Sequence, residues 1–166
     1  MTPAALAALR ARAFDTVVLG GLAAGVLDIL DAFIVTSLNG GTPIRVLHAI
    51  ASGVVGRSAY QGGMTTAAVG LVLHFVISFG AATTYFLASR KLPVMLRHWV
   101  PAGLAFGLAV WVFMYYVVLP VTFGRPNTLP PLPQLINQLG IHALGVGLPI
   151  AWFARRSARR YLAPSR

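Results

Sequence analysis

The chain contains no cysteine. Disulfides, thiolate metal sites and cysteine nucleophiles are therefore excluded. Acidic residues are scarce as well: three in 166, namely Asp15, Asp28 and Asp31. Charged residues of both signs make up only 10% of the chain, against about 25% in an ordinary soluble domain. The phosphate-binding loop G-x-x-x-x-G-K, the zinc motif H-E-x-x-H and the nucleophile elbow G-x-S-x-G are all missing, so no sequence motif argues for an enzyme.

What fills the chain instead is apolar sequence, 57% of all residues. A membrane span needs about 20 mostly apolar residues to cross roughly 30 Å of hydrocarbon. Four runs qualify: residues 16–38, 67–89, 99–121 and 135–153. The last holds Gly140, Gly145, Gly147 and Pro149, which membrane helices tolerate where neighbours cover the backbone. The expected fold is an all-α, four-helix membrane bundle forming a single domain over residues 1–166.

The net charge is +10, and its distribution is sorted by loop. Arg10 and Arg12 precede the first span; Arg90, Lys91 and Arg97 lie between the second and third; Arg155, Arg156, Arg159, Arg160 and Arg166 follow the fourth. The other two loops hold only Arg45, Arg57 and Arg125. The positive-inside rule converts this into cytoplasmic N- and C-termini. A basic tail over residues 154–166 is then expected to meet anionic lipid headgroups. Residues 2–14, with Arg10 and Arg12 toward headgroups, read as a short amphipathic surface helix or a frayed end. The basic segment is short and lacks stacking aromatics, so nucleic acid is not expected as a partner.

The first outer loop, about 39–66, carries a helix of its own. Thr42 is a candidate N-cap and Pro43 the first helical residue. Val46, Leu47, Ile50 and Val54 then share one face. This predicts a short interfacial or re-entrant helix. The second outer loop, 122–134, has four prolines and reads as a stiff extended connector.

Small and polar residues recur at helical spacing in every span: Gly21, Gly25, Asp28 and Asp31; Gly70, His74, Ser78 and Ala82; Gly103, Gly107, Trp111 and Tyr115; Gln138, His142, Gly145 and Pro149. Residues three or four apart share a face, and small residues let membrane helices approach closely. These stripes are the expected seams. "GLAAG" at Gly21 and "GLAFG" at Gly103 form a faint parallel echo between the first and third spans. Trp111 and Tyr116 read as packing residues, and Tyr85 and Trp99 as inner-interface aromatics.

Topology puts Asp31, His74, Tyr115 and His142 each about 9–11 Å below the outer surface, with Asp28 one turn deeper. An intramembrane charge costs at least about 2.5–3.5 kcal/mol and needs an interior partner. Two neighbouring carboxylates then hold a proton or a cation between them, and histidine can pair with them or relay protons. The candidate proton- or cation-binding cluster is Asp28, Asp31, His74, His142 and Tyr115, supported by Ser78 and Gln138, with His48 at the outer mouth. Two alternatives stay open. His74 and His142 could ligate a transition metal with a carboxylate, or serve as axial haem ligands with Gly70, Gly140 and Gly145 making room. Alternatively, the stripes hold helices together in a structural or accessory subunit. A homo-oligomer, or membership of a larger membrane complex, is expected on either reading.

The order GLAAGVLD, then VLHAIASGVVG with AYQGG, then LHFVISF, then HALGVGLP resembles small uncharacterised bacterial inner-membrane proteins of the YagU-like kind. The likeness covers most of residues 17–153 as loose spacing. It implies a four-span inner-membrane protein of undefined activity and carries over no catalytic residue.

Overall fold

Residues 2–124 and 128–162 are described by the structure, a computed structural model, and they contain helices and no strand. Arg125 and Arg166, two members of the charge pattern, lie outside the described residues. Four helices are long and apolar enough to cross a membrane: Pro3–Leu38, Gly63–Lys91, Trp99–Phe123 and Leu132–Tyr161. The chain is a membrane protein built on a four-helix bundle.

The helices outrun the apolar runs that predicted them, for local reasons. Thr2 caps the first helix, its hydroxyl accepting from the Ala5 N–H at 3.2 Å, and Pro3 fits the first turn. The chain stays helical through Ala13 and Phe14, so residues 3–13 extend the first span and are no separate surface helix. Arg12 consequently turns inward, against the headgroup-facing expectation. It is 7% exposed, and its guanidinium lies 5.9 Å from the Phe86 ring centroid. At the other terminus, residues 154–161 continue the fourth helix instead of forming a tail. Ala154 and Ser157 are buried, and Arg155 and Arg156 lie over the rings of Trp99 and Trp152. Basic residues in a last turn also complement the helix dipole.

Close backbone approach sets the lateral order. Gly103, Gly107 and Gly147 bring the third and fourth helices together: a Cβ on Gly107 would overlap the His142 carbonyl oxygen, and one on Gly147 the Gly103 carbonyl oxygen. The first helix meets the second at Gly21 and Gly25, which face Phe79, Phe75 and Ser78, and meets the fourth at Gly20, which faces Ile150. Thr16 and Ser157 tie first to fourth at 3.2 Å. The Ser157 hydroxyl is already donated to the Ala154 carbonyl, which makes Thr16 the donor. Across the bundle the order is second, first, fourth, third. The echo between GLAAG and GLAFG therefore has a shared use, since each packs against the span that follows it.

At the basic end, the second and third helices meet through Tyr85 and Phe106, edge to face at 5.0 Å between centroids. Tyr85 is fully buried and donates to the Met95 carbonyl at 3.3 Å, so it is a core residue rather than an interface aromatic. Toward the opposite, distal end these two helices diverge, and the predicted loop helix, Pro43–Val55, fills the gap. Thr42 holds the N-cap position with extended backbone but makes no side-chain cap bond. Gly70 faces the Leu47 carbonyl of this loop helix, not a neighbouring span. Gly53 meets Thr122 and Phe123 of the third helix.

The packing predicts an ordered cost. Gly107→Ala forces two backbones apart and should destabilise the protein by about 1–3 kcal/mol. Gly80→Ala, where an added Cβ meets nothing within 4 Å, should be neutral or gain up to about 1 kcal/mol of helix propensity. Reversible unfolding in detergent measures both.

Candidate functional site

The distal half of the bundle holds a half-open cavity of about 540 Å³, bounded by all four long helices and the loop helix. Asp28, Asp31, His74, Ser78, Tyr115, Gln138 and His142 all line it. The layer expected from depth and periodicity is therefore assembled around one space. Val46, Ile50, Gly53 and Val54 of the loop helix form part of its wall.

Two of its walls are shaped by proline. Pro120 and Pro149 have no N–H to give the carbonyls of Tyr116 and Gly145, four residues back, and their rings crowd those carbonyls. The backbone just before each proline widens into π-helix, Met114–Val118 and Ile141–Gly147. Tyr115 and His142 sit in these widened turns, where inserted turns redirect side chains.

Within the cavity the polar groups have specific partners. The Gly25 carbonyl can only accept, so His74 donates to it from Nε2, at 2.8 Å. By the same reasoning His142 donates from Nδ1 to the Gln138 carbonyl, at 2.9 Å. Ser78 donates to the Gly21 carbonyl at 2.7 Å. Tyr115 donates its hydroxyl to the Thr128 carbonyl and stacks on Trp111, centroids 5.0 Å apart and planes at 14°. The phenol is thus committed to a loop rather than to the carboxylates. Neither imidazole is bonded to a carboxylate, so the expected Asp–His pairing does not form.

The aspartates differ from each other. Asp31 accepts from Asn137 Nδ2 at 2.9 Å. Asp28, half-buried and one turn deeper, makes no hydrogen bond or ion pair among the described residues. Among the described residues no arginine or lysine lines the cavity.

Sequence reasoning missed Asn137 and underrated Trp111. Asn137 adjoins Gln138 in "INQL", an amide pair entering an apolar run, and that was the available signal. Trp111 packs as expected, but its Nε1–H also donates to Gln138 Oε1 at 3.0 Å. His48 is misplaced by the sequence reading. It is 7% exposed, away from the cavity wall, and bonded through Nε2 to the Gly63 carbonyl at 2.9 Å. Its ring also packs edge-on against Tyr60. This histidine pins the loop helix to the start of the second span.

The three-ligand metal reading loses its geometric basis, and the haem reading loses part of its room. Among the described residues no three His, Asp or Glu side chains gather closely enough to hold a metal ion. Gly70, offered as room for a haem, is covered by the Leu47 carbonyl.

A second hollow opens at the distal surface, lined by Asn39, Gly40, Arg45 and Pro131 among others. It shares Val35, Thr36, Gln134 and Asn137 with the cavity. The Asn137–Asp31 hydrogen bond lies at this junction.

Comparison with protein-family models, curated proteins and solved structures returns no match for the chain.

Ser78 offers a test of the seam beneath the cavity. Ser78→Ala removes an interhelical bond and should cost about 0.6 kcal/mol, at most about 1.7. Thr84→Ala removes only a bond within its own helix, to Gly80, and should leave the unfolding midpoint in detergent unchanged.

Proposed function

We propose that this chain is a bacterial inner-membrane protein with both termini cytoplasmic, and that its distal cavity binds and passes a proton or small cation. One observation carries the reading: among the described residues Asp28 lines the distal cavity with no hydrogen-bond or ion-pair partner, and no arginine or lysine lines that cavity. An intramembrane carboxylate left without a protein partner is costly. Either it keeps a proton or a cation neutralises it. The hollow beside Arg45 supplies the access path, and breaking the Asn137–Asp31 bond would open the way inward. The orientation rests on the positive-inside distribution, and the likeness to YagU-like proteins is compatible with it.

For His74 and Ser78 a second reading is favoured by their hydrogen bonds. Both donate to carbonyls of the first helix, as residues that hold helices together do.

In proteoliposomes, wild-type protein should give a proton- or cation-dependent flux. Asp28→Asn should abolish it, and Asp31→Asn should reduce it, with the fold intact by size-exclusion chromatography. Flux equal to that of empty liposomes, across protons, Na⁺ and K⁺ and small organic cations, would remove the transport reading. Orientation has a separate check. A cysteine at Asn39 should react with an impermeant maleimide in intact cells, and one at Ser165 should not.

A further inference from the structure

The size and lining of the cavity say more than the sign of its ligand. A dehydrated inorganic cation is held by several oxygens converging at about 2–2.6 Å. Here the two carboxylates lie on one face of one helix, Asp31 is engaged by Asn137, and no three acidic or imidazole groups converge among the described residues. The space is also far too large for a bare ion. At about 540 Å³ it falls within the roughly 300–1,000 Å³ range of pockets that hold drug-sized molecules. Its remaining wall is mainly apolar, with Ile50, Leu73, Ile77, Val110, Met114 and Val118.

The aromatic wall completes the pattern. Trp111 and Tyr115 stack nearly parallel. Their polar atoms are already committed, Trp111 Nε1 to Gln138 and Tyr115 Oη to Thr128. The stacked pair therefore meets the cavity as ring carbon, and any ring face it presents there attracts cations and not anions. An unpartnered carboxylate, an aromatic wall and an apolar chamber of this volume suit one chemistry: a single positive charge on an apolar body.

Resting on the proposed cation-binding function, we infer that the cavity's ligand is a lipophilic organic cation, an amine or onium ion, with its charge at Asp28 and its body against Trp111 and the aliphatic wall. Among the described residues no arginine or lysine lines the cavity, which gives an organic anion of the same shape no full positive charge to pair with.

The test uses purified full-length protein in nanodiscs and two probes of matched shape and opposite charge, tetraphenylphosphonium and tetraphenylborate. Radiolabelled tetraphenylphosphonium should bind saturably at one site per chain, with quenching of tryptophan fluorescence. Tetraphenylborate should neither bind saturably nor compete. Asp28→Asn should weaken phosphonium binding at least tenfold, and Asp28→Glu should restore it to within a few-fold of wild type. Non-saturable phosphonium uptake, equal binding of both probes, or binding unchanged in Asp28→Asn would each overturn the inference. The matched-probe comparison needs only wild-type protein, so it decides the matter even if Asp28→Asn does not fold. Asp28-dependent flux of protons, Na⁺ or K⁺ without saturable phosphonium binding would overturn this inference alone and leave the parent reading standing. Failure of both measurements removes both.

Discussion

The backbone contact between the third and fourth helices governs the rest of the molecule. Lipid tails are as apolar as leucine, so helix association in a membrane depends on close packing and interhelical hydrogen bonds. Gly103, Gly107 and Gly147 permit that packing where any side chain would collide with backbone. Once Gly107 lies against the His142 carbonyl, the turn bearing Gln138 and His142 is brought opposite the turn bearing Trp111. The Trp111–Gln138 bond follows from that register. The first helix then docks on the free side of the fourth through Gly20 and the Thr16–Ser157 pair. With the second helix held on the far side of the first, the second and third can touch only where large rings reach, at Tyr85 and Phe106. Their divergence toward the distal end is the origin of the cavity.

A gap of that kind in a membrane protein has to be covered, and the loop helix covers it. Its thirteen residues are too few to cross the bilayer. They suffice to lean from Gly70 of the second helix to Thr122 of the third. Gly70 admits the loop helix backbone, and His48 fastens the same helix to the Gly63 carbonyl. Both residues serve closure, though one belongs to a glycine stripe that looked like a span–span seam. The prolines act on the opposite wall. The widened turns bear Tyr115 and His142, and both residues line the cavity together with the loop helix.

Much of this was legible because it depends on local pattern. Apolar runs located four helices, Thr42 and Pro43 located the loop helix, and antiparallel topology placed Asp31, His74, Tyr115 and His142 at one depth. Periodicity names the face of a helix but not what lies across from it. That is why Gly70 is assigned to the wrong partner, and why His48, on a helix folded back over the bundle, is placed at the outer mouth of the cluster. Arg12 was misread because a short stretch with two arginines looks amphipathic until the helix after it proves continuous. Asn137 was missed because one amide in an apolar run matters only when a carboxylate from residue 31 arrives beside it, 106 positions away in sequence.

The pairing of two aspartates on one turn, in a chain with only three acidic residues, has a physical account in their unequal surroundings. A single structural bond to the fourth helix needs one carboxylate, and Asp31 makes it with Asn137. Asp28 gains nothing from that bond, so its own cost of burial is not offset by the fold. Moving it to an exposed position would cost the packing nothing, since Ala24 and Gly25 already form the seam. The same asymmetry runs through the whole charge pattern. Thirteen basic residues lie toward the helix ends and in the loops of the sequence, and among the described residues no arginine or lysine lines the cavity. On the proposed reading, that separation leaves Asp28 to set the sign of the ligand the cavity takes. On the same reading, the aromatic and aliphatic walls then discriminate by shape among molecules of that sign.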